Sequence, residues 1–169
     1  MRFQNLMVVA AMSCLFLGVS GRAAMAEGCG DGVLLGERFD TLRVTDEDSC
    51  TIIGSTIDGD LRIINVRNVV LINNTVNGLI RVDGRDREAG SVANVIENTV
   101  VGGKLVVREY EIANVIGNET LNQFEGDIRV ILNIRAFVQQ SLAARDLICR
   151  RNTALDASFN VAVGNEDCE

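Results

Sequence analysis

A short motif with alternating aliphatic residues recurs six times along this chain of 169 residues. The first residues of successive copies lie 19, 19, 25, 23 and 19 positions apart. A repeat with a period near 20 residues is typical of solenoid proteins, in which coils stack because one coil cannot bury its apolar face alone. The copies are Leu42-Arg43-Val44, Leu61-Arg62-Ile63, Ile80-Arg81-Val82, Leu105-Val106-Val107, Ile128-Arg129-Val130 and Leu147-Ile148-Cys149.

Alternate residues of each motif are apolar, which predicts a β-strand with one buried face. A glycine precedes four copies of the motif, and we expect it to provide a positive φ at a corner between strands. These glycines are Gly59, Gly78, Gly103 and Gly126. The predicted inward pairs are Leu42/Val44, Leu61/Ile63, Ile80/Val82, Leu105/Val107, Ile128/Val130 and Leu147/Cys149.

A second motif lies upstream of these glycines and places Asn, Ser or Gly between β-branched residues. It occupies 53–57, 72–76 and 96–100, with a looser copy at 116–121. Stacking of the coils would bring one asparagine from each of the last three copies into register. Their amides then either hydrogen-bond along the stack as a ladder or are satisfied locally as turn residues. The asparagines concerned are Asn74, Asn98 and Asn118.

Two or three short strands in each coil predict an all-β fold, a single-stranded parallel β-helix (β-solenoid) of about six coils. The variable period favours the right-handed form, because left-handed hexapeptide solenoids keep a stricter six-residue repeat. The sequence contains no proline, as expected for strands that all need their N–H groups. We interpret 133–144 as strand and turn, and we expect the insertion 83–90 to protrude as a polar loop.

Residues 1–26 have the features of a secretory signal peptide, with an apolar segment at 6–19 and Ala24-Met25-Ala26 as a small-x-small cleavage site. The mature domain would then be 27–169. A retained transmembrane anchor is an alternative, although the apolar run is short for a bilayer span. A lipoprotein anchor at Cys14 is a further alternative, but no leucine stands three positions before it.

Cleavage would change the net charge from −7 to −9, because it removes Arg2 and Arg22 but no acidic residue. Such a chain repels nucleic acid and anionic membranes. No second apolar stretch is long enough to cross a membrane, so we expect no membrane insertion after cleavage. The remaining length is that expected of one domain.

Four cysteines remain after cleavage, and an even number in an exported chain predicts disulfides. They are Cys29, Cys50, Cys149 and Cys168. Three connectivities are possible, and we favour Cys29–Cys50 and Cys149–Cys168 because each pair brackets one end of the repeat array. We expect the second bond to fold the tail over the open end. A zinc site is disfavoured, since the sequence has no CxxC spacing and no histidine.

The segments 50–61, 147–152 and 160–168, together with the Gly-x-Leu-x-Val repeats, resemble small exported bacterial β-helix repeat proteins. In those proteins a Cys-Thr-Leu opening leads into Val-x-Gly-Asn-Val-x-Val coils, and a Leu-x-Cys-x-x-Asn segment and a final Cys close the chain. The resemblance covers roughly residues 50–168 and implies a parallel β-helix with cysteine-bracketed ends. It implies no activity and no site residues. The coils here are less regular, and Asp or Lys replaces Asn after several glycines.

Charged residues occupy the outward position of the strand motif and the position before it. Stacked about 4.8 Å apart, they form a mixed-charge stripe. We interpret the stripe either as a polar groove for an acidic or sugar ligand or as a solvated face. Lys104 and Asp146 lie beside it, and the sequence predicts no catalytic residue, metal site or cofactor. The candidate binding residues are Arg43, Arg62, Arg81, Arg129, Asp60 and Asp127.

These patterns favour an exported, non-enzymatic binding module of the periplasm or the extracellular space, with a protein or glycan partner. A small carbohydrate-active enzyme is the alternative, using an acid such as Asp58 or Asp127. It would have few catalytic groups, because the chain lacks His and Trp and has one Tyr. An ice-binding protein is a third reading, based on the recurring threonines Thr56, Thr75 and Thr99.

Overall fold

The computed structural model describes residues 26–30 and 32–168, and within them all regular secondary structure is β. The short strands of these residues form three parallel sheets, and successive strands of the chain belong to the sheets in turn. The chain is therefore a parallel β-solenoid, as predicted. Residues 1–25 of the predicted signal peptide lie outside the described residues, and Ala26 is the first residue of the first strand.

Each turn of the chain contributes one strand to each sheet. The first sheet contains eight strands in the described residues: β1 (Ala26–Glu27), β4 (Leu42–Thr45), β7 (Leu61–Ile64), β10 (Ile80–Asp83), β13 (Leu105–Arg108), β16 (Ile128–Ile131), β19 (Leu147–Arg150) and β22 (Glu166–Cys168). The second sheet contains β2 (Val33–Leu35), β5 (Ser49–Ile53), β8 (Asn68–Ile72), β11 (Val92–Ile96), β14 (Ile112–Ile116), β17 (Arg135–Gln139) and β20 (Ala154–Ser158). The third sheet contains β3 (Arg38–Phe39), β6 (Thr56–Ile57), β9 (Thr75–Val76), β12 (Thr99–Val100), β15 (Glu119–Thr120), β18 (Leu142–Ala143) and β21 (Val161–Ala162).

The stack has about seven turns, where the sequence predicted about six. The six repeated motifs form β4, β7, β10, β13, β16 and β19. The strands at the two ends of the first sheet, β1 and β22, lack alternating aliphatic residues, which is why the motif did not identify them. The segment 133–144 is strand and turn, as predicted.

The core is a continuous column of aliphatic side chains. All predicted inward pairs are confirmed, because each of their side chains is fully buried. Parallel pairing places Leu61 beside Ile80 and Ile80 beside Leu105, so like positions stack from coil to coil. Full burial of a Leu, Ile or Val side chain contributes roughly 1.5–3 kcal/mol, and here it is spread along the whole stack.

The glycines before the strand motif are needed for close approach, and the expected positive φ is wrong. None of Gly59, Gly78, Gly103 and Gly126 has a positive φ. A Cβ at Gly59 would lie 2.7 Å from the carbonyl oxygen of Asp40 on the preceding coil. Residues directly after strands have the left-handed conformation instead, for example Asn65 (φ 58°) and Asn73 (φ 54°).

The predicted asparagine ladder is present inside the corner between the second and third sheets. The Nδ2 of Asn74 donates to the Oδ1 of Asn98 at 2.9 Å, and the Nδ2 of Asn98 donates to the Oδ1 of Asn118 at 3.0 Å. All three side chains are buried. The ladder continues at both ends: the backbone N–H of Ser55 donates to the Oδ1 of Asn74 at 2.9 Å, and the Oγ of Ser141 accepts from the backbone N–H of Asn118 at 3.3 Å. The ladder reading is therefore confirmed over the local-turn reading.

Both predicted disulfides are present. Cys29 and Cys50 have Cα atoms 5.4 Å apart, and Cys149 and Cys168 have Cα atoms 4.3 Å apart. Each bond joins an end coil to the coil next to it. The chain-entropy model gives roughly 3 kcal/mol for closing a loop of this size.

The tail does not fold over the open end, so that prediction is wrong. Val161 and Val163 are 57% and 75% exposed. Residues 154–168 form one more coil, because their strands pair in parallel with β17, β18 and β19. The disulfide of Cys168 therefore fastens an added rung instead of a lid.

The polar loop begins later than predicted. Asp83 is the last residue of β10 and is 4% exposed, and Gly84 is also buried. The exposed part starts after Arg85 and ends at Gly90. Among the residues that the structure describes, no helix has the length and apolarity needed to span a membrane.

Candidate functional site

The outward face of the first sheet carries the predicted arginine column. Parallel pairing places Arg43 beside Arg62 and Arg62 beside Arg81. The next rung has Val106 at this position, and the rung after it has Arg129. The column of long cationic side chains is therefore interrupted by one short aliphatic side chain.

This interruption produces a depression of about 340 Å³ on the surface. Arg108 lies two residues after Val106 on β13, and Lys104 lies two residues before it, directly ahead of that strand; both side chains line this depression with Val106. Val106 thus has a cationic neighbour in all four directions on the sheet. The lining residues are Arg62, Leu79, Arg81, Lys104, Val106, Arg108, Arg129 and Ile131.

One buried carboxylate holds two of these arginines. The Oδ2 of Asp83 accepts from the Nε of Arg81 at 2.7 Å, and its Oδ1 accepts from the Nε of Arg108 at 2.7 Å. A second bond joins the Nη2 of Arg108 to Asp83 Oδ2 at 3.1 Å. The hydrogen bond to Asp83 raises the pKa of Arg108. Both guanidinium groups are therefore held in place by the same carboxylate.

A second buried carboxylate lies on the other side of the depression. Asp127 is 2% exposed, and its Oδ2 accepts from the Nη2 of Arg129 at 2.6 Å. Its Oδ1 lies 3.6 Å from the Nε of Arg145. Asp127 was predicted as a binding residue, but its burial leaves it able to act only through the arginines that it holds.

Two further predicted binding residues, Asp60 and Arg43, have different surroundings in the structure. Asp60, which directly precedes β7, pairs with Arg62 of that strand, with Oδ2 and Nη2 2.8 Å apart. Arg43 is exposed and lies outside the depression. Within the described residues, neither Arg43 nor Lys104 has an acidic side chain within ion-pair distance.

The depression carries excess positive charge on a chain that is acidic as a whole. Its four cations around Val106 lie against three carboxylates, Asp83, Asp127 and Glu109, which leaves a local excess of about one positive charge when Arg145 is assigned to Asp146. The whole chain has a net charge of −7. Clefts of one sign of charge concentrate ligands of the opposite sign.

A second depression of about 300 Å³ continues the first along the sheet. The two share Arg129 and Ile131, so together they form one groove parallel to the axis of the stack. We call this surface the basic groove. Arg150, in the second depression, also pairs with Asp167. The lining of the second depression is Arg129, Ile131, Leu132, Ile148, Arg150 and Arg151.

Sequence reasoning found the arginine column but missed Val106, Arg108 and Asp83. The signal was present in the repeat alignment, where Val106 is an aliphatic residue in a column of arginines. Lys104 and Arg108 stand at equal spacing on either side of it. Recognising their proximity required the register across the longest coil, which contains the inserted loop.

Other features of the described residues are less suited to binding a ligand than this groove is. Thr56, Thr75 and Thr99 do align on the third sheet, but Arg38 and Glu119 occupy the next rungs of the same column. No group of three or more His, Cys, Asp or Glu side chains in the described part could hold a metal ion. Burial raises the pKa of Tyr110, and its hydroxyl donates to the carbonyl of Val66 at 2.9 Å, which is a structural role.

No protein-family model, curated protein or solved structure matches this chain. The basic groove and the N-terminal sequence are therefore the features of the chain that bear on its function.

Proposed function

We propose that this protein is an exported, non-enzymatic β-solenoid that binds an acidic glycan of the cell envelope or extracellular space in its basic groove. The observation that carries the proposal is the uncompensated positive charge of the groove on a chain whose net charge is −7. Even exposed ion pairs contribute only about 0–1 kcal/mol to stability, so a surface cation without an acidic partner adds little to it.

Export is supported by the cysteines and by the N-terminal sequence. Two disulfides fasten the ends of the stack, and disulfides persist in oxidising compartments outside the cytosol. Residues 1–26 have the composition of a signal peptide. Together these features favour a function in the periplasm or outside the cell.

The shape of the groove favours a linear ligand. From Arg62 to Arg150 it crosses five rungs, which is roughly 19 Å at the strand spacing. Its walls are cationic and its floor is formed by outward aliphatic side chains such as Val106 and Ile148. An extended polymer with anionic groups along its length satisfies both features.

The carboxylates on this face are better placed to position arginine side chains than to transfer protons to or from a substrate. Asp60, Asp83 and Asp127 each bind a guanidinium group at 2.6–2.8 Å. A general acid or base has to reach the reacting atoms of a substrate, whereas Asp83 and Asp127 lie buried beneath the arginines. This arrangement favours binding without catalysis.

The test is binding of the oxidised protein to acidic and neutral polysaccharides. We expect binding to hyaluronan, a polymer with one carboxylate per disaccharide, and none to dextran, which is neutral. Binding should weaken as salt rises, because the contacts are ionic. Lys104→Gln should weaken hyaluronan binding about fivefold, or about 1 kcal/mol, since Lys104 has no acidic partner to compensate.

Arg87→Gln is the matched control, because it removes one positive charge from the exposed loop outside the groove. Its affinity for hyaluronan should equal that of the wild-type protein. The proposal fails if no acidic polymer binds, if dextran binds equally well, or if the Lys104 and Arg87 variants lose the same affinity.

A further inference from the structure

Resting on this proposed function, we infer that the depression over Val106 binds a single acidic sugar ring, a hexuronate unit of the polymer. The carboxylate of the sugar contacts Lys104 and Arg108, and one face of its ring packs on Val106.

Among the described rungs, Val106 is the aliphatic residue of the column that has an arginine on both neighbouring rungs. Arg81 and Arg129 are the parallel partners of Val106, about 4.8 Å away on either side. Lys104 and Arg108 lie about 6.6 Å away along the strand, two residues in each direction. Four long cationic side chains thus surround a short aliphatic one, and they form the wall of a cup.

The cationic side chains of the cup are positioned to bind an anion. Asp83 binds both Arg81 and Arg108, and Glu109 adds a weaker ion pair, with its Oε1 3.9 Å from the Nη1 of Arg108. Lys104 supplies the uncompensated positive charge of the cup, since no described acidic side chain lies within ion-pair distance of it. Charge-assisted bonds to a carboxylate are the strong hydrogen bonds of protein recognition. Because the guanidinium groups are already fixed, little conformational freedom is lost when they bind.

The floor of the cup is apolar. Leu79, Val106 and Ile131 line it from three successive rungs. A pyranose ring has C–H groups on its faces, and contact with an aliphatic floor removes them from water. At about 340 Å³ the depression is at the lower limit of ligand sites, which run from about 300 Å³. It therefore has room for one ring.

Val106→Arg tests this inference most sharply, because charge and shape predict opposite results. The substitution adds one positive charge, and it fills the cup by completing the arginine column. Four other coils carry Arg at this position, so the fold accepts it. Val70→Arg is the matched control, because Val70 is an outward residue of the second sheet and gives the same change of charge on another face.

The probes are glucuronate, glucose and acetate, measured by calorimetry and by the NMR signals of the Val106 methyl groups. We expect glucuronate to bind and to shift these signals, and glucose and acetate to bind at least about tenfold more weakly. Val106→Arg should weaken glucuronate binding at least about tenfold, and Val70→Arg should leave it unchanged.

A second variant separates positioning from charge. Asp83→Asn makes the groove more positive by one charge but releases Arg81 and Arg108. We expect weaker glucuronate binding, measured where thermal melting shows the variant to be folded. Tighter binding by either Asp83→Asn or Val106→Arg overturns the inference, as does acetate binding equal to that of glucuronate. If hyaluronan still binds in those cases, the proposed function stands; if no acidic probe binds, both fail.

Discussion

The side chain of Asn98 forms hydrogen bonds with several neighbouring groups of the stack. Its Oδ1 accepts from the backbone N–H and the Nδ2 of Asn74, at 3.1 and 2.9 Å. Its Nδ2 lies 3.0 Å from the carbonyl oxygens of Leu71 and Ile96 and from the Oδ1 of Asn118. These groups lie in the interior, so Asn98 provides partners that water cannot replace.

We predict that Asn98→Ala destabilises the protein by at least about 2 kcal/mol, because each buried polar group left without a partner costs about 1–3 kcal/mol. Asn94→Ala is the control, since Asn94 lies on the outward side of β11, where its Oδ1 accepts from Asn114 at 2.7 Å. Urea unfolding of the two oxidised variants measures the difference. Equal losses would show that the buried ladder is not a special source of stability.

The corner residues show why conformation was harder to predict than burial. Left-handed residues follow the strands of the second sheet at Gly54, Asn73 and Glu97. Only one of these three is a glycine, and an acidic residue in the same conformation gives no sequence signal. The glycines that do recur serve close approach between backbones, as at Gly59. Residue type therefore identified a corner without giving its geometry.

Among the larger elements, the loop after β10 is fastened to the coils on both sides. Arg85 donates to the carbonyl of Asn65 at 2.6 Å and to that of Glu47 at 3.0 Å. At the other end of the loop, the N–H of Gly90 donates to the carboxylate of Glu111. The inserted residues are thus held at both ends, which keeps the long coil in register with its neighbours.

We predict that the Gly90 contact depends on pH. The hydrogen bond from Gly90, and the guanidinium of Arg135, lower the pKa of Glu111 from its ordinary value of 4.5. A lowered pKa in the folded state means that this contribution to stability is complete above pH 4.5. It is lost as the pH falls through the lower folded-state pKa.

The NMR shift of the Gly90 amide measures this titration. Its midpoint should lie below 4.5, and Glu111→Gln should remove it. The stability advantage of the wild-type protein over Glu111→Gln should also vanish at acidic pH. A midpoint at or above 4.5 would contradict the assignment of the hydrogen bond.

Elements with a strong repeat could be predicted from the sequence, and elements that depend on neighbouring coils could not. The alternating residues of β7 and β10 were sufficient to predict strand, burial and stacking. The end strands β1 and β22 have no such pattern, and pairing with a coil already formed is what makes them strands. The cup at Val106 depends on the same kind of information, since two of its walls come from other coils.

At the scale of the whole molecule, stacking has different consequences for inward and for outward residues. Inward residues stack like on like and form a dry column, which requires only shape and hydrophobicity. Outward residues also stack like on like, and stacked cations repel unless carboxylates lie between them. Asp83 and Asp127 reduce this repulsion without cancelling it, and the remaining charge is what an acidic ligand can neutralise.

The disulfides give this stack defined ends. Cys149 and Cys168 are paired neighbours in the first sheet, so their bond fastens the last rung of the sheet that carries the basic groove. Cys29–Cys50 does the same for the first coil. A rigid array of this kind keeps the groove cations at fixed spacing, which would reduce the entropy lost on binding the proposed acidic ligand.

The most direct measurement is an NMR titration of the backbone amides with a short hyaluronan oligosaccharide. The largest shifts are predicted on the first sheet, in β10, β13 and β16 around Val106, with the second and third sheets nearly unchanged. Shifts centred on the third sheet, or no shifts at saturating oligosaccharide, would contradict the assignment of the basic groove as the binding site.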